Sequence, residues 1–569
     1  MLKHSENVPR LLQNNCEFVL RHLNRDPDSD YFGLSNFVYA FGQFTPESIV
    51  ATAKEVLFAY YCKGTKFYMN SEILKTVLEM VRFFDKRYVH DDGSIDLQST
   101  NIHCPNTTGF CVSDTLSKMA YVVRELSSHT QIEDEIYEQL LSTLRKNNEA
   151  LKHLGFHTPN HRWAITSALC ACYNLLGDEE SLEVMNKFLS EGIDCSEEGE
   201  WTERSTGCYN LICDRQYLHL YFQTKDRKFL DPVVRNLKLM FSLTESDDSV
   251  CTMSSTRIDN GTKIDILYYY YLFYGAAIFS RDSELAWYAD YLLTKIEALE
   301  KLKMPVVTDR SPLEFWYLMM PDLGEIEESI VTVKPDLHKS VFLSTGMARH
   351  YYDNRYNDCL TVLTTWHQDF LKFHFSDNLE VRCRFAAAFF GDEHSIFRPG
   401  KLEKNKDGSY VLTSQDRAGY KSTFDTPPET SNWWKMDHSK RKEINVRELN
   451  RSVVVTPVKN GFTIDCTAEG DDDIPLKFEF VLNPGGLYEN DSSMLYADKG
   501  IYTIQLNGTG RITCPGRPEI LIKGSGIKDS YGRDMRGSGQ YDAESFTVCF
   551  FGRSNHSYHY EFTYVPFFE

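Results

Sequence analysis

Two short segments of this chain carry residue types able to do chemistry on an anion. In Thr158-Pro159-Asn160-His161-Arg162-Trp163, a hydroxyl residue followed by proline predicts a helix start, with Thr158 as the cap. Asn160 and His161 then fall in the first turn, where unpaired N–H groups and the helix dipole favour a negative charge such as a carboxylate. Ordinary capping with a solvated Arg162 fits the same residues. In Gly199-Glu200-Trp201-Thr202-Glu203-Arg204-Ser205-Thr206-Gly207-Cys208-Tyr209-Asn210, a charged and aromatic loop runs into another helix and sets Tyr209 at its start. A phenol with a reference pKa of about 10 serves as a base at neutral pH only if positive charge favours the phenolate. The helix end and Arg204 or Arg215 are the available sources, although Tyr209 is also one of 33 tyrosines and core packing is the commoner fate.

Other candidates are binding groups. Arg257, in Ser255-Thr256-Arg257-Ile258-Asp259-Asn260-Gly261, sits in a polar loop and suits either bidentate capture of a carboxylate or sulfate, or plain solvation. Trp433 and Trp434 follow Pro427-Pro428 in an apparent loop, where indoles either stack on sugar faces or tuck onto a sheet edge. Asn101 to Phe110 reads as a polar, helix-breaking segment. Asp96, Glu203 and Asp214 are the carboxylates a glycoside hydrolase would draw on, but none of their spacings is diagnostic of the required pair. His556 and His559, three apart in a strand-like context, should face opposite sides, so no catalytic metal is expected, and a structural cation in the second half stays open. There is no Walker A sequence and no G-x-G-x-x-G after a strand, and no cofactor is expected.

Composition narrows the function classes. With 81 acidic against 61 basic residues the formal charge is -20, which argues against a protein that coats nucleic acid. An anionic ligand needs a local positive site. Fifteen cysteines with no C-x-x-C point to free thiols rather than disulfides or zinc. Met1 to Arg10 lacks an apolar h-region, which gives the expectation of a cytoplasmic protein. The longest apolar run, Ile266 to Phe279, is too short to cross a membrane.

Two periodicities divide the chain. Over residues 1–329 apolar positions recur every three or four residues, predicting helices over 46–61, 71–88, 132–153, 159–176, 209–223, 230–243, 264–279 and 284–299, with Thr45-Pro46 and Thr158-Pro159 as starts. Hairpins of helices around a ring or solenoid are expected. Over residues 330–569 the period is two, as in Leu476, Phe478, Phe480 and Leu482 alternating with Lys477, Glu479 and Val481, and turn signals recur. This half is expected to be an antiparallel β-sandwich with half-buried strands.

Asn160-His161 followed by Glu203-Arg204-Ser205-Thr206-Gly207-Cys208-Tyr209 resembles the heparinase II/III-like polysaccharide lyases, whose stretch runs Glu-Gln-Ser-Pro-x-x-Tyr. Trp366-His367-Gln368-Asp369-Phe370-Leu371-Lys372-Phe373 resembles that family's His-x-Asp-x-Leu-Ser-Phe segment. The resemblance implies an incomplete α/α toroid followed by an antiparallel β-sandwich, an order the periodicity gives independently. It implies a carbon-oxygen lyase that removes the C5 proton of a uronic acid and eliminates the 4-O-linked sugar. Asn160 would neutralise the carboxylate, Tyr209 would be base, acid or both, and His161 would be the base for a proton on the opposite ring face. His367 would orient substrate or lower the Tyr209 pKa. Arg162, Glu203, Arg204, Arg257, Trp433 and Trp434 would bind substrate. Arg204, Thr206 and Lys372 stand where the family has Gln, Pro and Ser, so substrate contacts should differ. The expected partner is an acidic oligosaccharide or polysaccharide, the former preferred, and not nucleic acid or membrane. A toroid hydrolase of uronate glycans and a glycan-binding protein without activity are the alternatives.

Overall fold

A computed structural model describes residues 1–29, 31–35, 46–97, 100–306, 311–354, 356–376, 378–529, 535–539 and 542–566. The chain divides into two compact units, residues 1–243 with 249–337, and residues 244–248 with 338–569.

The first unit is an incomplete α/α toroid. Its helices begin with α1 (Val8–His22), α2 (Glu47–Tyr61), α3 (Ser71–Tyr88), α4 (Pro105–Phe110), α5 (Ser117–Leu126), α6 (Gln131–His153) and α7 (Pro159–Leu176). They continue with α8 (Glu179–Ser190), α9 (Tyr209–Thr224), α10 (Arg227–Leu243), α11 (Tyr270–Ser280), α12 (Ser283–Lys301), α13 (Ser311–Met319) and α14 (Leu323–Ser329). Two small hairpins interrupt them, β1 (Ile95–Leu97) with β2 (Asn101–Cys104), and β3 (Ser249–Val250) with β4 (Ile264–Asp265). Helices α2, α7 and α11 are buried nearly all round and form inner staves, as their apolar composition requires. The amphipathic α3, α6, α8, α10 and α12 pack outside them. Gly275 on α11 leaves room for the Trp316 indole of α13, because a Cβ there would lie 2.2 Å from the ring.

Several local expectations are corrected. Asn101 to Phe110 does not break a helix: Pro105 takes the first helical position, the Cys104 thiol caps it, and α4 runs through a π-helical turn at Cys111–Leu116 into α5. The expected helix over 264–279 opens instead with β4 and a 3-10 turn, because Asp265 accepts from the Leu267 N–H, and α11 starts only at Tyr270. Thr45, expected to cap α2, lies outside the described residues. Residues 330–337 follow the helices as extended chain, with the Val333 N–H on the Ser283 carbonyl. None of the fifteen cysteines forms a disulfide, and among the described residues no helix is long and apolar enough to span a membrane.

The second unit is a β-sandwich. Its strands are β5 (Val341–Leu343), β6 (Met347–Tyr351), β7 (Cys359–Leu363), β8 (Asp369–Phe375), β9 (Leu379–Ala387), β10 (Lys401–Lys404), β11 (Tyr410–Lys421), β12 (Glu443–Val458) and β13 (Gly461–Gly470). They continue with β14 (Pro475–Leu482), β15 (Leu487–Asn490), β16 (Ser493–Tyr496), β17 (Tyr502–Ile504), β18 (Asn507–Thr513), β19 (Glu519–Ser525), β20 (Phe546–Arg553) and β21 (Ser557–Val565). One sheet has the order β10-β11-β12-β13-β21-β19-β18-β15-β16 and the other β17-β20-β14-β9-β8-β7-β6-β5. Pairing is antiparallel except between β17 and β20. Phe373, Phe462, Phe478, Phe480, Tyr560 and Phe562 fill the space between the sheets.

The other face of the eight-stranded sheet departs from the half-buried expectation. Lys477 and Glu479 of β14, expected in solvent, are buried and pair at 3.0 Å. Nearby on the chain's second unit, Arg349 of β6 is wholly buried and grips Glu245 with two bonds of 3.0 and 2.8 Å. A charge leaves water at a large cost unless it is paired and hydrogen-bonded. That pairing explains why residues 244–248, although they follow α10, group with the sandwich. Arg349 outweighs burial and holds the Glu245 pKa down at about 2. The carboxylate's stabilising contribution is therefore present above its ordinary value near 4.5 and is lost as pH falls through about 2. Replacing Arg349 by Met should destabilise the second unit by about 3 kcal/mol at neutral pH, read from the shift of its guanidinium unfolding midpoint, with partial recovery on adding Glu245→Gln.

Candidate active site

The site is built around one buried carboxylate. α7 begins as expected at Pro159, but the Thr158 hydroxyl does not cap it. The side chain of Glu203 takes that place. Its Oε2 accepts from the Asn160 backbone N–H at 3.1 Å, and its two oxygens accept from Asn160 Nδ2 at 3.0 and 2.9 Å. Thr158 Oγ1 instead accepts from the same amide at 3.0 Å. The helix N-terminus does hold an anion, as its unpaired N–H groups and dipole dictate, and that anion belongs to the protein.

Glu203 also binds the cation of the site. Arg257 Nε lies 3.2 Å from Glu203 Oε1, and its guanidinium stands 5.1 Å from the centre of the Tyr209 ring. The Thr256 hydroxyl donates to the Glu203 carbonyl at 2.9 Å, so the loop carrying Arg257 is fastened by main chain as well as side chain. A second carboxylate, Asp259, completes the brace. It accepts from Ser205 Oγ at 2.7 Å, from Ser255 Oγ at 2.6 Å and from the Gly207 N–H at 2.8 Å. Ser205 Oγ in turn accepts from the Tyr209 N–H at 3.0 Å, which sets the start of α9. Gly207 is required here, because a Cβ would lie 2.8 Å from Ile264 and 3.0 Å from Asp259 Oδ2. Arg204 is held at φ +48, a left-handed conformation that non-glycine residues adopt only when their surroundings impose it.

Trp163 of α7 and Trp201 of the loop both pack edge-on with the Tyr217 ring of α9, at 4.9 and 5.0 Å between ring centres. Their indole N–H groups donate to Asp194 and Asp214 respectively. Asp214 is entirely buried, and burial raises its pKa well above the ordinary range despite that bond.

Electrostatics separate the two titratable groups of the site. Burial, helped by His157 and Arg257, lowers the His161 pKa to about 4, and its Nδ1 is buried without a hydrogen-bond partner among the described residues. Tyr209 moves the other way. Burial and the neighbouring Cys208 raise its pKa above 10, against the pull of Arg257. The expectation of a phenolate favoured by nearby cations is thus reversed, because desolvation outweighs one guanidinium that is itself paired to Glu203. Asn160 is wholly buried, and its Oδ1 has no donor among the described residues.

The structure brings together Asn160, His161, Glu203, Tyr209 and Arg257, and gives other candidates different roles. Arg162, expected to bind substrate, is buried, lies over Trp163 and donates to the carbonyls of Phe188 and Gly192. It fastens α7 to the end of α8. Glu203, also expected to contact substrate, is spent on Asn160 and Arg257. Asp96 accepts from the His103 N–H at 2.6 Å and pairs with His90 at 3.0 Å, so the three carboxylates considered for hydrolysis have structural partners. His367 is carried by the second unit, exposed in the bend before β8, with its N–H on Thr365 Oγ1. Trp433 and Trp434 also belong to that unit. His559 does have an acidic partner, Asp465, across the β13–β21 pair at 2.7 Å. Among the described residues no group of three or more His, Cys, Asp or Glu is placed to hold a metal ion. Sequence reasoning missed Asp259 and Ser205, whose signal was only a polar loop.

No protein-family model matches the chain, and no curated protein matches it in sequence. Solved structures do resemble it. Heparinase III aligns over 99% of this chain and 85% of its own, with TM-score 0.56 and 10% identity. The heparan sulfate lyase HepC from Pedobacter heparinus aligns over 98% and 83%, with TM-score 0.53 and 10% identity. A Paenibacillus xanthan lyase aligns over 99% and 57%, with TM-score 0.50 and 10% identity. The chain therefore has the toroid and sandwich fold of these polysaccharide lyases.

Two measurements test the geometry. The His161 ring should remain neutral at pH 5 and titrate near pH 4 by NMR, against 6.5 for an ordinary imidazole. Because the unfolded chain takes up this proton first, stability should fall between pH 6.5 and 4, and His161→Gln should remove that part of the fall. Glu203→Gln, which weakens the bonds to Asn160 and releases the partly exposed Arg257, should lower the unfolding midpoint of the first unit by an amount equivalent to about 1.5 kcal/mol.

Proposed function

We propose that the protein is a carbon-oxygen lyase that cleaves acidic glycans by β-elimination at a uronic acid. The observation that carries this reading is the gathering of Asn160, His161, Tyr209 and Arg257 about Glu203 at the starts of α7 and α9. The resemblance to lyases of acidic polysaccharides supports it.

The C5–H of a uronate is only weakly acidic, and its removal piles charge onto the adjoining carboxylate unless that group is neutralised. Arg257 supplies positive charge for the substrate carboxylate, and Asn160 stands beside it at the start of α7. His161, neutral at physiological pH, takes the C5 proton. The electron pair of the broken C5–H bond forms the C4–C5 double bond as the C4–O bond breaks. Tyr209, kept protonated by burial, gives its proton to the departing oxygen. Solvent then returns a proton to Tyr209 and removes one from His161. The substrate class is a uronate-containing oligosaccharide.

Incubation with short uronate oligosaccharides should generate the ultraviolet absorbance of a double bond conjugated to a carboxylate. A hydrolase would release reducing ends without it. Tyr209→Phe should reduce turnover by about 10²- to 10⁴-fold with unchanged circular dichroism, the range typical for loss of a positioned acid. Wild-type turnover in that variant would defeat the assignment.

A further inference from the structure

Strand β10 covers β11 only as far as Thr413, and β13 covers β12 only from Leu449. Beyond these points β11 and β12 continue as a two-stranded ribbon out to the Lys421–Glu443 pair. Isolated ribbons are marginal in water, yet this one ends in a closely tied tip. Arg441 donates to the carbonyls of Ser422 and Lys421 at 2.6 and 2.8 Å. The Trp433 ring lies 4.1 Å from that of His438, whose Nε2 is 2.9 Å from the Trp433 carbonyl oxygen. Asn432 Oδ1 accepts from the Trp434 N–H at 3.1 Å. The result fixes the backbone of Trp434 and leaves its indole 91% exposed, with no ring contact among the described residues.

The surrounding charge runs against that of the whole molecule. Over the tip, residues 421–447, six Lys or Arg stand against four Asp or Glu in a chain of net charge -20; Lys442 pairs with Asp425, Lys440 with Asp437 and Arg447 with Asp471. An exposed indole next to Lys435 on this net basic tip matches a sugar ring that presents an apolar C–H face and carries a carboxylate or sulfate at its edge. A second copy of the chain fits less well. A stable dimer needs about 1,200 Å² or more of buried surface with an apolar core, whereas the large apolar side chains exposed on the ribbon, Tyr420, Trp433, Trp434 and Ile444, are interleaved with the exposed Lys421, Lys435, Lys442 and Glu443 rather than gathered into such a core.

We propose that the tip of the β11–β12 ribbon is a glycan-binding site of the second unit, with Trp434 as the stacking platform and the net basic charge of the tip selecting acidic polysaccharide chains. This rests on the reading of the protein as an enzyme of acidic glycans. Affinity electrophoresis of the full chain through gels containing heparin, hyaluronan or alginate tests it, alongside gels containing neutral dextran. Trp434→Ala should weaken binding to at least one acidic polymer about tenfold, equivalent to about 1.4 kcal/mol. Trp434→Phe should restore most of the loss, Tyr496→Ala at another exposed aromatic should change nothing, and dextran should not retard the protein. Equal retardation of Trp434→Ala and wild type, or no retardation of wild type by any acidic polymer, would overturn the proposal. So would a dimer in sedimentation that Trp434→Ala dissociates without altering retardation. Ultraviolet-absorbing products from the wild type are scored separately. Lyase activity with Trp434-independent retardation sinks the ribbon site alone, whereas Trp434-dependent retardation without such products sinks the enzymatic reading alone.

Discussion

The candidate site depends on a carboxylate that is not in contact with solvent. Glu203 occupies the N-terminus of α7, where a substrate carboxylate was the expected guest, and it pairs with the arginine beside Tyr209. Buried charge is tolerated only when every lone pair finds a donor. The site meets that condition by drawing donors from α7 and from the Arg257 loop at once. The loop from Trp201 to Cys208, the helix start at Tyr209 and the segment around Asp259 then have little freedom left. The geometry of the candidate site and the local folding are the same set of bonds.

That arrangement also sets the protonation of the two titratable groups. Burial favours the uncharged form of every ionisable group, so it lowers the basicity of His161 and the acidity of Tyr209 together. Both are therefore uncharged at neutral pH, the protonation states that the proposed base and acid start from, at the cost of weaker basicity and acidity. Positive charge on Arg257 favours the phenolate, but burial outweighs it and Glu203 offsets part of it.

Much of the architecture is legible in residue order. Spacing finds α2, α3, α6, α7, α9, α10 and α12 within a few residues, because an inner or outer stave of the toroid needs an apolar stripe of helical period. It misses α4 and the π-helical turn after it, where Pro105 and Gly109 read as breakers although proline suits the first turn and Gly109 packs against Ile165. Alternation finds the strands but misjudges β14, since period two says which residues share a face and not whether both faces are covered. Lys477 and Glu479 are the residues on which that difference shows.

By itself the sequence determined the two periodicities, the helix starts at Pro159 and Tyr209, and the adjacency of Asn160 to His161, because these follow from local backbone geometry and short spacing. Only the tertiary structure decided what those helix starts would hold. Whether Glu203 pairs with Asn160, whether Arg162 is free or a strut, and whether burial raises or cations lower the Tyr209 pKa all turn on burial and on partners tens of residues away in sequence. Desolvation and ion pairing are properties of the assembled volume around a group, and no residue type or spacing carries them.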